Sequence, residues 1–397
     1  MKTITKYAFF ILTVALAFGS FNPFDMRGIG SITEQVEEQR GYTPLLFAAC
    51  ILLLLIDKNV IRNYKIFKQY YTPLLVLFVL YIFSSLVFDI STALDGYMFY
   101  IKLLVAFTGF FSYAMYFSEY PEVLKTVCRL FGLLCAGICL MFFLGFLDGF
   151  YYFSNGRLWL FGENPNSYSF VLGFGALLLG KELLDDNKLI YQILYAFGIF
   201  LIMAYTFMSG SRGTLMFLGL CFLIIYSSYV KKHLGASLVT VFAGVLVLNF
   251  IFSKNVEELA VLDRFSDLQF GDSREDLMKN ALGLFFDSPL FGYGANGYDY
   301  MKATVFHDMR DSHNMIISIL ATTGLLGFSA IATFFKRFIK LLWSNIAQNK
   351  VAITLFVYVF LISMKTGGII TYSMMWFAYS IIVALASYNI TVKNIEK

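Results

Sequence analysis

Apolar runs of about 20 residues, the length an α-helix needs to cross ~30 Å of hydrocarbon, recur along the whole 397-residue chain. That feature decides the fold class. Inside a bilayer every backbone N–H and C=O must find its partner within the protein, which leaves only helices and closed barrels. The runs are continuous rather than alternating, so a β-barrel is excluded. Composition agrees. Of the residues, 59% are hydrophobic and only 14% charged, where a water-soluble domain is about a quarter charged. The chain reads as an all-α, polytopic membrane protein.

Hydropathy predicts about 12 transmembrane helices, at roughly 6–22, 43–57, 72–89, 97–117, 127–150, 167–180, 189–208, 213–230, 234–253, 314–335, 351–365 and 369–388. The first follows Lys2 and Lys6 without an A-x-A-like cleavage site and reads as a retained helix. All five cysteines fall inside apolar runs, which leaves no disulfide framework and no zinc-type spacing. The chain divides into helices 1–9 over 1–253, one extracytoplasmic loop over 254–313, and helices 10–12 with a cytoplasmic tail over 314–397. Lys and Arg crowd the short loops of one side, for example Lys58, Arg62, Lys65 and Lys68. The short loops of the other side hold only Arg27, Arg40, Arg157, Arg212 and Lys365. By the positive-inside rule both termini are cytoplasmic.

The long loop is the one sizeable aqueous piece. Ser273 followed by Asp276 resembles a capping box, and Leu277, Met278, Ala281, Leu282, Phe285 and Phe286 follow at helical spacing. An amphipathic helix over about 274–287, stopped by Pro289, should lie on the outer membrane surface or cap a cavity.

Polar groups at the membrane boundary are costly, and are therefore where chemistry is sought. Four outer clusters stand out. Arg212 sits in the tight Ser209-Gly210-Ser211-Arg212-Gly213 turn, where a fixed guanidinium offers bidentate donors to phosphate or carboxylate; a snorkelling arginine is an equal alternative. Arg274 opens the loop helix, where backbone N–H groups also favour an anion, or is an exposed arginine pairing with Glu275 or Asp276. Arg264 and Arg310 add charge to the same loop. His313, in Ser312-His313-Asn314, suits a general base, although an isolated interfacial histidine more often caps a helix. Glu163, Asn166 and their neighbours form a polar entry to a helix, capped by Asn166 or Ser167, that suits sugar hydroxyls or serves simply as a helix start. Lys102, inside the fourth helix, is either a snorkelling residue or a cavity lysine for phosphate. There is no nucleotide loop, no HExxH, no GxSxG and no acidic cluster with metal spacing. No motif points to a cofactor, a metal or nucleic acid.

In order, SGSRG (209–213), SREDLMKNALGLFFDSPLFGYGANGY (273–298) and SHNMIISILATTGLLG (312–327) resemble the Wzy/O-antigen ligase family of bacterial polysaccharide polymerases and ligases. Its pattern is an SRG turn, an arginine-bearing loop helix running into D-x-P-L-F-G-x-G, then H-N and a helix with a late G-x-x-G. The resemblance covers Ser209 to Gly327, and ENPNS agrees further upstream. It departs at Met278, where the family often has Trp.

The resemblance implies a GT-C-like glycosyltransferase of the bacterial cytoplasmic membrane that uses neither metal nor nucleotide sugar. The donor would be an oligosaccharide on undecaprenyl pyrophosphate, among membrane lipids, with a chain-length regulator as protein partner. Arg212 and Arg274 would bind the pyrophosphate, with Arg264 competing for the second position. His313 would deprotonate the acceptor hydroxyl. Asn314, Glu163, Asn166 and Lys102 would contact sugar or orient the others. The leading expectation is an O-antigen or capsule polymerase. A ligase transferring finished glycan to lipid A-core shares the chemistry. A lipid-linked oligosaccharide transporter is the non-enzymatic rival, against which no two-half repeat is visible.

Overall fold

The computed structural model describes residues 63–89, 97–147, 149–154, 157–160, 164–185, 188–227, 272–308, 310–366 and 369–395, with Val60 and Ser91. The helices expected over 6–22, 43–57 and 234–253 lie outside these residues, as do Glu163 and Arg264. The described helices are α1 (Tyr64–Phe88), α2 (Tyr97–Glu119), α3 (Pro121–Phe143), α4 (Pro165–Asp185), α5 (Leu189–Met208), α6 (Arg212–Ile225), α7 (Asp272–Asp287), α8 (Ala295–Met301), α9 (Met315–Trp343), α10 (Lys350–Ser363) and α11 (Ser373–Ile395). Six of them, α1 to α5 and α9, are long and apolar enough to cross a membrane. The helices α6, α10 and the Ser373–Ser387 part of α11 are shorter and apolar. The protein is thus an all-α polytopic membrane protein. One small addition to that class is a hairpin, β1 (Tyr151–Ser154) against antiparallel β2 (Arg157–Leu160), with Tyr152 opposite Trp159.

Several boundaries differ from the hydropathy reading, each for a local reason. Helix α1 starts well before residue 72 and runs through Pro73. Proline removes the N–H that would bond the carbonyl four residues back, here that of Gln69. Arg337 of α9 donates to that carbonyl instead, so the helix continues. Helix α3 is displaced toward the N-terminus relative to 127–150. Pro121 occupies its first turn. Gly145, at φ 77°, ends it: the Gly145 N–H donates to Phe142 O at 3.1 Å and the Phe146 N–H to Met141 O at 3.0 Å, the paired bonds of a Schellman stop. Helix α4 is capped by neither Asn166 nor Ser167. Asn164 caps it, its Oδ1 accepting from the Asn166 N–H at 2.9 Å, with Pro165 as the first helical residue.

Helix α4 is the central strut, packed against α3, α5, α6 and α10. Helices α2 and α11 pack together, as do α9 and α1. Aromatic rings fill the centre, where Trp376 stands edge-on to Phe107 at 4.7 Å and its indole N–H donates to Ile370 O at 2.7 Å. At one end of the bundle the buried Glu182 accepts from Arg129 and Lys181 at 2.9 and 3.2 Å, so that carboxylate is paired.

Helix α9 is broken at Gly324, where φ is 62° and ψ −160°. A break at membrane depth leaves carbonyls and N–H groups without helical partners. Here the segment 289–294, just after α7, supplies them. Tyr293 and Gly294 N–H donate to Ala321 O and Thr322 O at 3.1 and 2.7 Å. In return, Leu325 N–H donates to Pro289 O at 2.8 Å and Leu326 N–H to Leu290 O at 3.4 Å. A Cβ at Gly324 would run into the backbone of Leu290, and one at Gly292 into that of Ala321 to Thr323. The two glycine motifs singled out in the sequence are therefore the two halves of one joint, which fixes α7 against α9. A small core of Ala281, Leu284, Tyr298 and Ala321 closes it. Helix α7 starts at Asp272, ahead of the expected 274. It buries Leu277, Ala281 and Leu284 while Phe286 faces outward. The buried stripe includes Leu284, which the expected pattern left out.

Candidate functional site

The end of the bundle formed by the starts of α4, α6 and α9 and the end of α10 gathers the charged residues. Ser209 ends α5, its Oγ donating to Thr206 O at 2.6 Å and accepting from the Ser211 N–H at 3.1 Å. Gly210 turns the chain at φ 62°. Asn166 holds the turn from α4, its Oδ1 accepting from Ser211 Oγ at 3.1 Å and from Arg157 Nη2 at 2.9 Å. Arg157, on β2, also donates through Nε to Ser209 O at 3.0 Å. Lys365, just past α10, reaches the same spot, with Nζ 2.9 Å from Ser211 Oγ. Arg212 is the first residue of α6 and half-buried.

Across from this turn stands Arg274, in the first turn of α7. Its side chain is solvent-accessible, yet surrounding protein and then the Arg212 guanidinium hold its proton affinity below the ordinary value. His313 precedes α9 in the left-handed region, at φ 51°. It is not the helix cap. Asn314 is, its Oδ1 accepting from Ile316 and Ile317 N–H at 3.0 and 3.2 Å. The imidazole is half-buried. Burial first, and then Arg274, Arg310 and Lys365, hold its pKa below the usual histidine value, against the opposite pull of Asp311.

The residues flanking the histidine are held, Asp311 by Lys302 just past α8 and Asn314 by Ser312. Lys302 is buried, with Nζ 2.7 Å from Asp299, 3.1 Å from Asp311 and 4.5 Å from the Tyr298 ring centre. Burial alone would lower its proton affinity, but the two carboxylates overcome that and keep the ammonium charged. Ser312, also buried, donates to Asn314 O at 3.2 Å.

Arg274 thus lies within electrostatic reach of both Arg212 and His313. Asn166 and Asn314 use their amide oxygens to hold backbone and neighbours. Lys102 lies half-buried in the second turn of α2 and, among the described residues, makes no hydrogen bond or ion pair with the cluster. Arg310 is exposed and forks onto Asp308 at 2.7 Å. The sequence reading passed over Arg157, Lys365 and Lys302 as site residues. A signal existed for two of them, since Arg157 and Lys365 are among the few basic residues on the side that the positive-inside rule leaves poor in them. Among the described residues no group of three His, Cys, Asp or Glu could hold a metal ion.

One prediction follows from the charges around His313. It should titrate below the ordinary 6.5, and Arg274→Gln should move it upward, as read from imidazole shifts by NMR. The unfolded chain binds this proton near 6.5 and the folded protein only at lower pH. The group's contribution to stability is therefore complete above 6.5 and is lost as pH falls through the folded value. A histidine that titrates identically in the Arg274→Gln protein would mean that the two are not coupled.

A bundle of membrane-crossing helices with guanidinium, ammonium and imidazole groups toward one end defines an integral membrane protein. Residues 197–332 match the family model described as O-Antigen ligase, Wzy_C. The match takes in the SRG turn, α7, the 289–294 joint, His313 and the broken α9. No curated protein and no solved structure matches the chain.

Proposed function

We propose that this protein is a GT-C-like polysaccharide polymerase of the bacterial cytoplasmic membrane. It moves glycan from undecaprenyl pyrophosphate to a hydroxyl of the next lipid-linked repeat unit at the outer face, with the loop over 254–313 on that face. What supports the reading is that Arg274 is within electrostatic reach of both Arg212 and His313, in a bundle whose 197–332 segment matches the family model. His313, kept neutral by its surroundings, takes the proton from the acceptor hydroxyl. That oxygen bonds the anomeric carbon as the bond to the pyrophosphate oxygen breaks. Negative charge grows on the leaving pyrophosphate, and Arg212 and Arg274 stabilise it more in the transition state than in the ground state. Asn166 and Asn314 act as positioning residues. A lipid-borne donor also explains a transferase made of membrane helices.

The family description names a ligase, and that observation supports a second reading in which the acceptor is lipid A-core. Glycan length on gels from cells lacking the gene decides between the two. A polymerase leaves single-repeat glycan, with ladders restored by the wild-type gene. A ligase leaves full-length glycan on the lipid carrier. Unchanged ladders attached to their usual acceptor would sink both.

A further inference from the structure

Gly213 closes the SRG turn with an ordinary backbone conformation, so no positive φ requires glycine there. Its missing side chain makes room. A Cβ at Gly213 would lie 2.7 Å from Cδ and 2.9 Å from both Cε and Nζ of Lys365. The lysine therefore lies across the first turn of α6, beside the backbone of Arg212, with Nζ on Ser211 Oγ at 2.9 Å. It arrives from the far part of the chain, where the Lys365 N–H still bonds Ile362 O at 2.9 Å in the last turn of α10. A structural lysine at a membrane boundary would snorkel away from other cations. This one instead lies along the first turn of α6, beside Arg212 at the helix start, where the backbone N–H groups already favour an anion.

We propose that Lys365 is a third cation of the donor site, binding the pyrophosphate of the lipid carrier together with Arg212 and Arg274. The inference rests on the functional reading above and adds to it a residue outside the matched segment 197–332. A compact ammonium binds phosphate as a point charge and tolerates several geometries, which suits a leaving group that moves as its bond breaks. Lys365 also lowers the proton affinity of His313, so the same charge serves both ends of the transfer.

The test is binding of farnesyl pyrophosphate to the purified protein in detergent, compared for wild type, Arg212→Gln, Lys365→Met, Lys365→Arg and Gly213→Ala. Losing one charge-assisted contact should weaken binding about 10- to 100-fold in Lys365→Met. Lys365→Arg should restore most of it. Gly213→Ala keeps every charge but pushes the end of Lys365 aside, and should give an intermediate loss. Wild-type affinity in both Lys365→Met and Gly213→Ala, with Arg212→Gln impaired, overturns this inference and leaves the functional reading standing. Failure of the wild type itself to bind farnesyl pyrophosphate overturns the functional reading. If phosphatidylglycerol competes equally well and only its competition responds to Lys365→Met, the lysine holds a membrane lipid and the inference falls.

Discussion

Gly324→Ala should unfold or inactivate the protein more severely than any other single methyl addition in α9. The backbone there has φ 62° and ψ −160°, a region open essentially to glycine alone, and forcing an L-residue into it costs about 1–3 kcal/mol. The new methyl would also collide with the carbonyl of Leu290 and the amide of Phe291. These are backbone atoms and cannot rotate away. Relief requires 289–294 to withdraw, which removes the bonds to Ala321, Thr322, Leu325 and Leu326. Buried groups left without partners cost about 1–3 kcal/mol each. The combined loss, upward of about 3 kcal/mol, should appear as a clear drop in the melting temperature of the detergent-purified protein. Gly283→Ala is the control. It lies on α7 with nothing within 4 Å of the added Cβ, and Ala in place of Gly in a helix gains up to about 1 kcal/mol. A Gly324→Ala protein that melts with the wild type would mean that the joint is not closed in the working molecule.

That joint shows what a sequence can and cannot declare. The motif D-x-P-L-F-G-x-G and the late G-x-x-G were both visible, but not that they bond to each other. A glycine that permits a turn and a glycine that admits another backbone look alike until the partner is known. The helix ends are a different case. Pro121 and Gly145 were in plain view as start and stop signals, and the hydropathy window slid past them because the residues between Phe143 and Leu147 are apolar. Helix α1 extends before residue 72 because the Gln69 carbonyl that Pro73 orphans is satisfied by Arg337, 268 positions from Gln69. The hairpin over 151–160 alternates buried and half-buried residues on β2, a period too short to register between two long apolar runs. Arg212, Arg274 and His313 stand out in the sequence because a charge at a membrane boundary needs a reason. Arg157 and Lys365 carried the same signal, but without neighbours in sequence to form a motif.

His313→Asn should leave a folded protein with almost no transfer. Asparagine is the informative choice because the position has φ 51°. Asn is among the few residues that adopt the left-handed region readily, whereas alanine adds backbone strain to the loss of the ring. Asn also cannot accept a proton at neutral pH. Loss of a positioned base typically lowers the rate 10²–10⁴-fold, and the effect should fall on turnover while farnesyl pyrophosphate binding stays near wild type, since the proposed mechanism gives that group to the arginines. Melting of the Asn variant should stay near wild type and that of His313→Ala should fall below it. Cells complemented with His313→Asn should then make glycan indistinguishable in length from the deletion. If His313→Asn instead restores normal ladders, proton transfer from the acceptor does not pass through this residue. A rival that moves the lipid-linked glycan without chemistry would regain its footing, because transport needs the cations but not the base.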